Sequence, residues 1–210
     1  MEPPPRKPDA ERTRRNILDV ARAEFAEHGL SGARVDAIAR RTATTKRMIY
    51  YYFGSKEGLY SAVLQQAYAG IRAAEAELAL DDVDPEMAMR RLIDLTFDYH
   101  DAHPDFVRLV SIENIHQANY LRHLGTIGEV NAGIIRSLAT IVARGLAAGV
   151  FRRAADPVDL HMMISAPCFY RVSNQHTFGS IFGRDLHAPE VRHAHRGIIT
   201  EMILTWLRTA

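Results

Sequence analysis

Cysteine is almost missing from this chain. The one at position 168 has no partner within the molecule, which excludes a disulfide-stapled secreted scaffold. Long hydrophobic runs are missing as well: no eighteen consecutive apolar residues occur, and the opening MEPPPRKPDAERTRR lacks the apolar segment of a secretion signal. The expectation is a cytoplasmic protein that does not enter a membrane. Strand-like alternation is scarce, so a sheet-based fold is excluded too. There is no glycine-rich phosphate loop and no serine at a strand-to-helix elbow. Cys168 lies beside Pro167 in an apolar run with no evident base, and these gaps together argue against an enzyme. Metal ligands are thin on the ground. His100 and His103 lie a turn apart around Asp101, and His193 and His195 lie near Glu190, but positions 193 and 195 face different sides of a helix and no Cys or His pair has zinc-site spacing. No cofactor and no metal are expected.

What is there is ordinary folded-protein material: 210 residues, 47% hydrophobic and 24% charged, enough for one large domain or two small ones. The net charge of +1 conceals a skew. Residues 1 to 60 hold 12 Lys+Arg against 8 Asp+Glu, and the remainder holds 14 against 17. A basic end on a slightly acidic body suits contact with a polyanion at one end.

Apolar spacing predicts helices throughout. Ile17, Leu18, Ala21 and Phe25 mark a first helix over 12–28 stopped by Gly29, and Val35, Ile38 and Ala39 a second opened by Ser31 or Gly32. Thr45 caps a third with Ile49 facing inward, and Ser55 caps a long fourth that runs toward Leu80. The acidic DDVDP at 81–85 breaks the chain, with Asp84 capping a helix that begins at Pro85. Further helices are expected near 85–102, 104–114, 118–147, 156–175 and 188–208, with Asp156 capping the fourth of these and Pro167 bending it.

The densest signal is ATTKRMIYYYFGSKEGLYSAV, residues 43–63. Two short helices around a tight turn form a unit whose second helix can lie in a DNA major groove. Its outward side carries Thr44, Thr45, Lys46, Arg47, Tyr50 and Tyr51, and Phe53 turns inward as a brace. Arginine is the best base reader of that set, because its fork spans guanine O6 and N7. Lysine and tyrosine more often meet phosphate. Lys56 adds its charge to the positive end of the next helix, which favours a phosphate there.

Residues 12–64 resemble the DNA-binding domain of the TetR family of one-component transcriptional regulators, carried by RRNILDVARAEFAEHG, IARRTATTKRMIYYYF and GSKEGLYSAV. The resemblance implies that Thr45 is the capping residue and that Lys46 and Tyr51 occupy phosphate-contacting positions. It also implies that Thr44, Arg47 and Tyr50 lie at or near positions that vary with operator sequence, and that Ser55–Glu57 begins the fourth helix. One departure stands out: Ala43 replaces the turn glycine, so either alanine takes a left-handed conformation at a cost of roughly 1 kcal/mol or the turn adopts a different dihedral pair.

The fold expected is therefore all-α, with an N-terminal three-helix helix-turn-helix domain joined by a long fourth helix to a larger helical ligand-binding and dimerisation domain. The expected division is a flexible arm at 1–11, the DNA-binding domain at 12–55 and the larger domain at 56–210. Around Pro167 the lining Met163, Cys168, Phe169 and Tyr170 has the soft composition of a small-molecule cavity. Phe97, His100, Asn114, His116 and Asn174 are candidates to complete it. Ile199, Met202, Ile203 and Trp206 form a broad apolar face for a homodimer, which a palindromic operator demands. The expected function is a ligand-responsive regulator of double-stranded DNA, a repressor released by a small-molecule effector. An activator of the same fold, or a helical enzyme or adaptor, is the alternative.

Overall fold

The computed structural model describes residues 7–125 and 127–209, and its regular elements are all helical. They are α1 (Lys7–Gly32), α2 (Val35–Arg41), α3 (Lys46–Phe53), α4 (Lys56–Ala76), α5 (Pro85–Ala102), α6 (Pro104–Ile115), a 3-10 turn (Leu121–His123), α7 (Ile127–Ala147), α8 (Pro157–Ser173), α9 (Gln175–Phe182) and α10 (Pro189–Arg208). Local chemistry sets several of the starts. Thr45 Oγ1 accepts from the Met48 amide at 3.2 Å, Ser55 Oγ from Gly58 at 3.0 Å, and Asp84 Oδ1 from Met87 at 2.9 Å. Asp156 accepts from both Val158 and Asp159. Each satisfies amides that an isolated helix end leaves open.

Some expected boundaries move. Residues 1–6 of the expected arm lie outside the described residues, but from Lys7 onward the chain is already helical. Asp9 lies in that first turn, its carboxylate held by Arg12 at 3.1 Å. The break at Gly29 occurs as a kink (φ 66, ψ 177), after which the helical turn runs on to Gly32 and delays α2 to Val35. The expected continuous helix over 118–147 is interrupted. Gln117 and Ala118 both take φ 57, which ends α6 and leaves the 3-10 turn ahead of α7. An additional short helix, α9, occupies 175–182, where none was expected.

Packing divides the described residues into two compact units. One comprises the residues up to Tyr68 together with those from Arg108 to Ile127, and the other Ala69–Val107 together with the residues from Gly128 on. The division falls away from the expected boundary at 55/56 because α4 and α6 each run across it. In the first unit Tyr60 explains the grouping. It is buried, packs edge-on against Phe25 (5.1 Å) and Tyr120 (5.3 Å), and lies beside the buried Glu113, whose carboxylate accepts from the Tyr120 amide at 3.0 Å. Burial and the neighbouring Glu113 push the Tyr60 phenol well above its usual range.

The second unit is built on α5, α7, α8 and α10, whose Leu92, Phe97, Leu138, Ile141, Leu160, Cys168, Leu204 and Leu207 share one core. Ion pairs reinforce it from the side. Arg171 of α8 holds Asp101 of α5 at 3.0 Å and stacks over Phe97 at 4.2 Å, and Arg192 of α10 reaches the same carboxylate at 2.6 Å. Segment 128–147 of α7 is long and apolar enough, by length and composition, to cross a membrane. It places Leu138, Ile141 and Val142 in this core, and Arg144 donates to the Leu80 and Val83 carbonyls.

Candidate nucleic-acid interface and effector cleft

In the first unit α2 and α3 meet across residues 42–45. Thr42 closes α2 with its hydroxyl on the Ile38 carbonyl at 2.8 Å, Ala43 turns at φ 51, and Thr45 caps α3. Of the two alternatives for this turn, alanine takes the positive φ. Ile49 is fully buried and anchors α3 from behind. Phe53, half-buried, supports the far end under the Arg14 guanidinium at 5.3 Å. The opposite side of α3 faces outward. Lys46 and Arg47 are exposed, Tyr50 is 40% and Tyr51 78% exposed, and Tyr51 packs edge-on against Tyr52 at 5.5 Å. Large rings held open to solvent on one helix are available to bind something.

The expected DNA-contact residues around α3 are thus brought together, with one adjustment. Thr45 accepts from the Met48 amide and keeps its hydroxyl proton to donate to a phosphate. Lys56 is half-buried and donates to the Ser31 carbonyl at 3.2 Å, tying α4 to the end of α1 instead of extending outward. Asp36, which carries no signal in the local sequence, holds Lys46 Nζ with its carboxylate at 2.8 Å. Only a contact between helices reveals it.

The expected ligand residues do not line one cavity. Phe97, Cys168 and His100 are buried, the first two within the main core. His100 has Nδ1 on the Thr96 carbonyl at 2.6 Å, and Phe169 packs against its ring. Met163 and Tyr170 face outward, each about half exposed. Asn114 and His116 are exposed and belong to the first unit, with Asn114 donating to the Val110 carbonyl. Asn174 ends α8 and donates to Ser173. The reason is geometric: successive residues of α8 point to different sides, and composition does not say which side closes on α5.

A cleft of about 560 Å³ opens elsewhere in the second unit, between the last turns of α4, the Leu78–Asp81 stretch and the first half of α7. Arg72, Glu75, Glu129, Arg136, Ser137 and Thr140 supply its polar lining. Arg72 and Glu75 form an ion pair at 3.0 Å with both side chains largely withdrawn from solvent. Burial pushes the Glu75 carboxyl up to about 7, against the pull of Arg72. A concave site holding an ionisable group perturbed by burial is a candidate place for a ligand. Nothing in the local sequence separated this pair from an ordinary i, i+3 surface bridge. Among the described residues no cluster of three or more His, Cys, Asp or Glu side chains is placed to hold a metal ion.

The four expected dimerisation residues split between two stripes of α10. Ile199 and Ile203 are core, whereas Met202 (62% exposed) and Trp206 (43% exposed) face outward. With Met162, Met163 and Ile198 they line an apolar groove of about 1210 Å³ along α8 and α10. The spacing 198, 202, 206 was the signal for the outer stripe, but it merges with the inner one when apolar character alone is read.

Two family descriptions match the chain: "Bacterial regulatory proteins, tetR family" over residues 17–63, and "Tetracyclin repressor-like, C-terminal domain" over residues 85–203. The HTH-type transcriptional repressor NicS of Pseudomonas putida is 36% identical over 203 residues, spanning 97% of this chain and 96% of its own. The HTH-type transcriptional regulator RutR of Escherichia coli is 31% identical over 150 residues, 71% of this chain and 69% of its own. Among solved structures, a bacterial regulatory protein in the tetR family from Rhodococcus matches with a TM-score of 0.74 at 15% identity, covering 94% of this chain and 98% of that one. That likeness concerns the fold.

Proposed function

The chain belongs to the TetR family of bacterial regulatory proteins, and from that premise we propose that it is a cytoplasmic, homodimeric repressor released from a palindromic operator by a small molecule. The observation that carries the reading is α3. Ile49 is sealed behind it and Thr45 caps it, while Arg47, Tyr50 and Tyr51 stand open to solvent. Arg47 reads base edges, Tyr51 and Lys46 meet phosphate, and Thr44 and Tyr50 lie between those roles.

Two such heads are needed, because one short helix neutralises too few phosphates for tight binding. The outward apolar stripe of α8 and α10, with Met162, Met163, Ile198, Met202 and Trp206, supports pairing of two copies. An exposed apolar groove of this extent on one face is the mark of an interaction surface. The cleft at Arg72 and Glu75 is the seat assigned to the effector in place of the scattered residues around Pro167. It opens on α4, the helix that continues into the first unit, so a ligand favouring one setting of α4 shifts the population of DNA-competent dimers. An effector with equal affinity for both settings would release nothing.

Selection of duplexes from a randomised pool tests the reading at Arg47. Arg47→Ala relaxes discrimination at one position of each half-site, by roughly 1–3 kcal/mol against the wrong base. Unchanged discrimination moves Arg47 to the backbone-contacting class.

A further inference from the structure

From Arg34 to Lys56 the sequence holds six cations, Arg34, Arg40, Arg41, Lys46, Arg47 and Lys56, and one acid, Asp36. That acid is spent on one contact. Its carboxylate lies 2.8 Å from the Lys46 ammonium, linking the first turn of α2 to the first residue of α3, and both side chains are about half exposed. The hydrogen bond to Lys46, with Arg34 and Arg40 adding their charge, holds the Asp36 carboxyl below its usual range.

The pairing answers a local problem. Lys46 is the first residue of α3, where the unsatisfied amides already carry partial positive charge, and a cation there is unfavourable. An anion is the natural complement of that corner, and Asp36 supplies one while no duplex is present. A DNA phosphate offers the same charge to the same ammonium. The two anions compete for one cation, and a phosphate approaching Lys46 also approaches Asp36.

We infer that Asp36 is a positioning residue for operator recognition. It holds Lys46 away from the phosphate backbone on arbitrary duplex and yields it only when the other contacts of α3 seat the head in register. The inference rests on the reading of α3 as the recognition helix. Its consequence is a different electrostatic footprint on the two kinds of duplex: Asp36 costs affinity on both, but Lys46 neutralises a phosphate only on the operator. The plain alternative is a surface bridge between α2 and α3 that steadies the fold and does nothing for DNA, since exposed pairs contribute little.

The test uses the full-length dimer, fluorescence anisotropy over a salt series, a random-sequence 30-base-pair duplex and a duplex obtained by selection. Asp36→Asn tightens binding to the random duplex by roughly two- to fivefold and steepens its salt dependence by about 0.9 in slope, the signature of one more neutralised phosphate. The selected duplex gains affinity with its slope unchanged, because Lys46 already neutralises a phosphate there. In a Lys46→Ala background the same Asp36→Asn change leaves the slope unchanged and gives a smaller gain in affinity, the part that comes from direct repulsion between Asp36 and phosphate. An unchanged slope and affinity in the single variant overturns the inference, and so does an equal gain with and without Lys46, because Asp36 would then be acting only as a distant charge. Lys46→Gln gives an independent check should Asp36→Asn not fold: it weakens the selected duplex more than the random one, and an equal loss on both overturns the inference. A protein that binds no duplex removes the α3 reading itself, whereas one that binds and ignores Asp36 removes only this step.

Discussion

At the scale of single residues the sequence spoke most clearly where the chemistry is local. Thr45, Asp84 and Asp156 cap helices as expected, because a cap needs only its own next three residues. Orientation is a different matter. Cys168 and Phe97 are buried, Met163 and Tyr170 are outside, and no composition rule separates them, since each is apolar enough for either place. Glu75 was silent in the sequence and is the residue with the clearest pH consequence. Its folded carboxyl titrates near 7, above the 4.5 of an unperturbed glutamate, so the folded state holds a proton that the unfolded chain has released. The stability this contributes is complete below about pH 4.5 and is lost as pH rises through about 7. Chemical denaturation from pH 4.5 to 8 should therefore show that Glu75→Gln removes part of the decline seen in the wild type. Parallel curves would mean that the Arg72 pair already offsets the burial.

Elements were legible in kind and less so in extent. The α2–α3–α4 order follows from Gly29, Thr45 and Ser55, and the apolar periods placed Ile38, Ile49 and Leu59 inside. The helix expected from 118 onward begins only at Ile127: Gln117 and Ala118 adopt left-handed backbone with neither a glycine nor a proline at those two positions, and the Tyr120 amide donates to Glu113. The turn between α2 and α3 shows the same feature in miniature. Ala43 sits at φ 51, a conformation that glycine enters freely. Ala43→Gly is expected to raise the unfolding free energy by up to roughly 1 kcal/mol, less what glycine adds to the entropy of the unfolded chain, with operator affinity unchanged. A loss of affinity would show that the strained turn sets the pitch of α3.

On the scale of the whole molecule the all-helical architecture was readable from the missing strand signals, and the two-unit division was not, because α4 and α6 pass through it without a break in their periodicity. The outward stripe of α8 and α10 decides how many heads act together. Met202→Glu places a charge in the centre of that groove and is expected to give a monomer in sedimentation at micromolar concentration. Operator affinity should fall by at least roughly tenfold as the second set of phosphate contacts goes. A dimer that survives Met202→Glu would place the two-fold axis on another surface.

The central claim is that the exposed side of α3 enters a DNA groove and reads sequence. Selection from a randomised duplex pool, run with the wild type and with an Arg47→Ala, Tyr50→Ala double variant that keeps its helical circular dichroism, tests it most directly. The account predicts a palindromic sequence with half-sites about one helical turn apart or a multiple of it, enriched by the wild type and not by the variant. Enrichment of the same sequence by both proteins, or of none by the wild type, would contradict it.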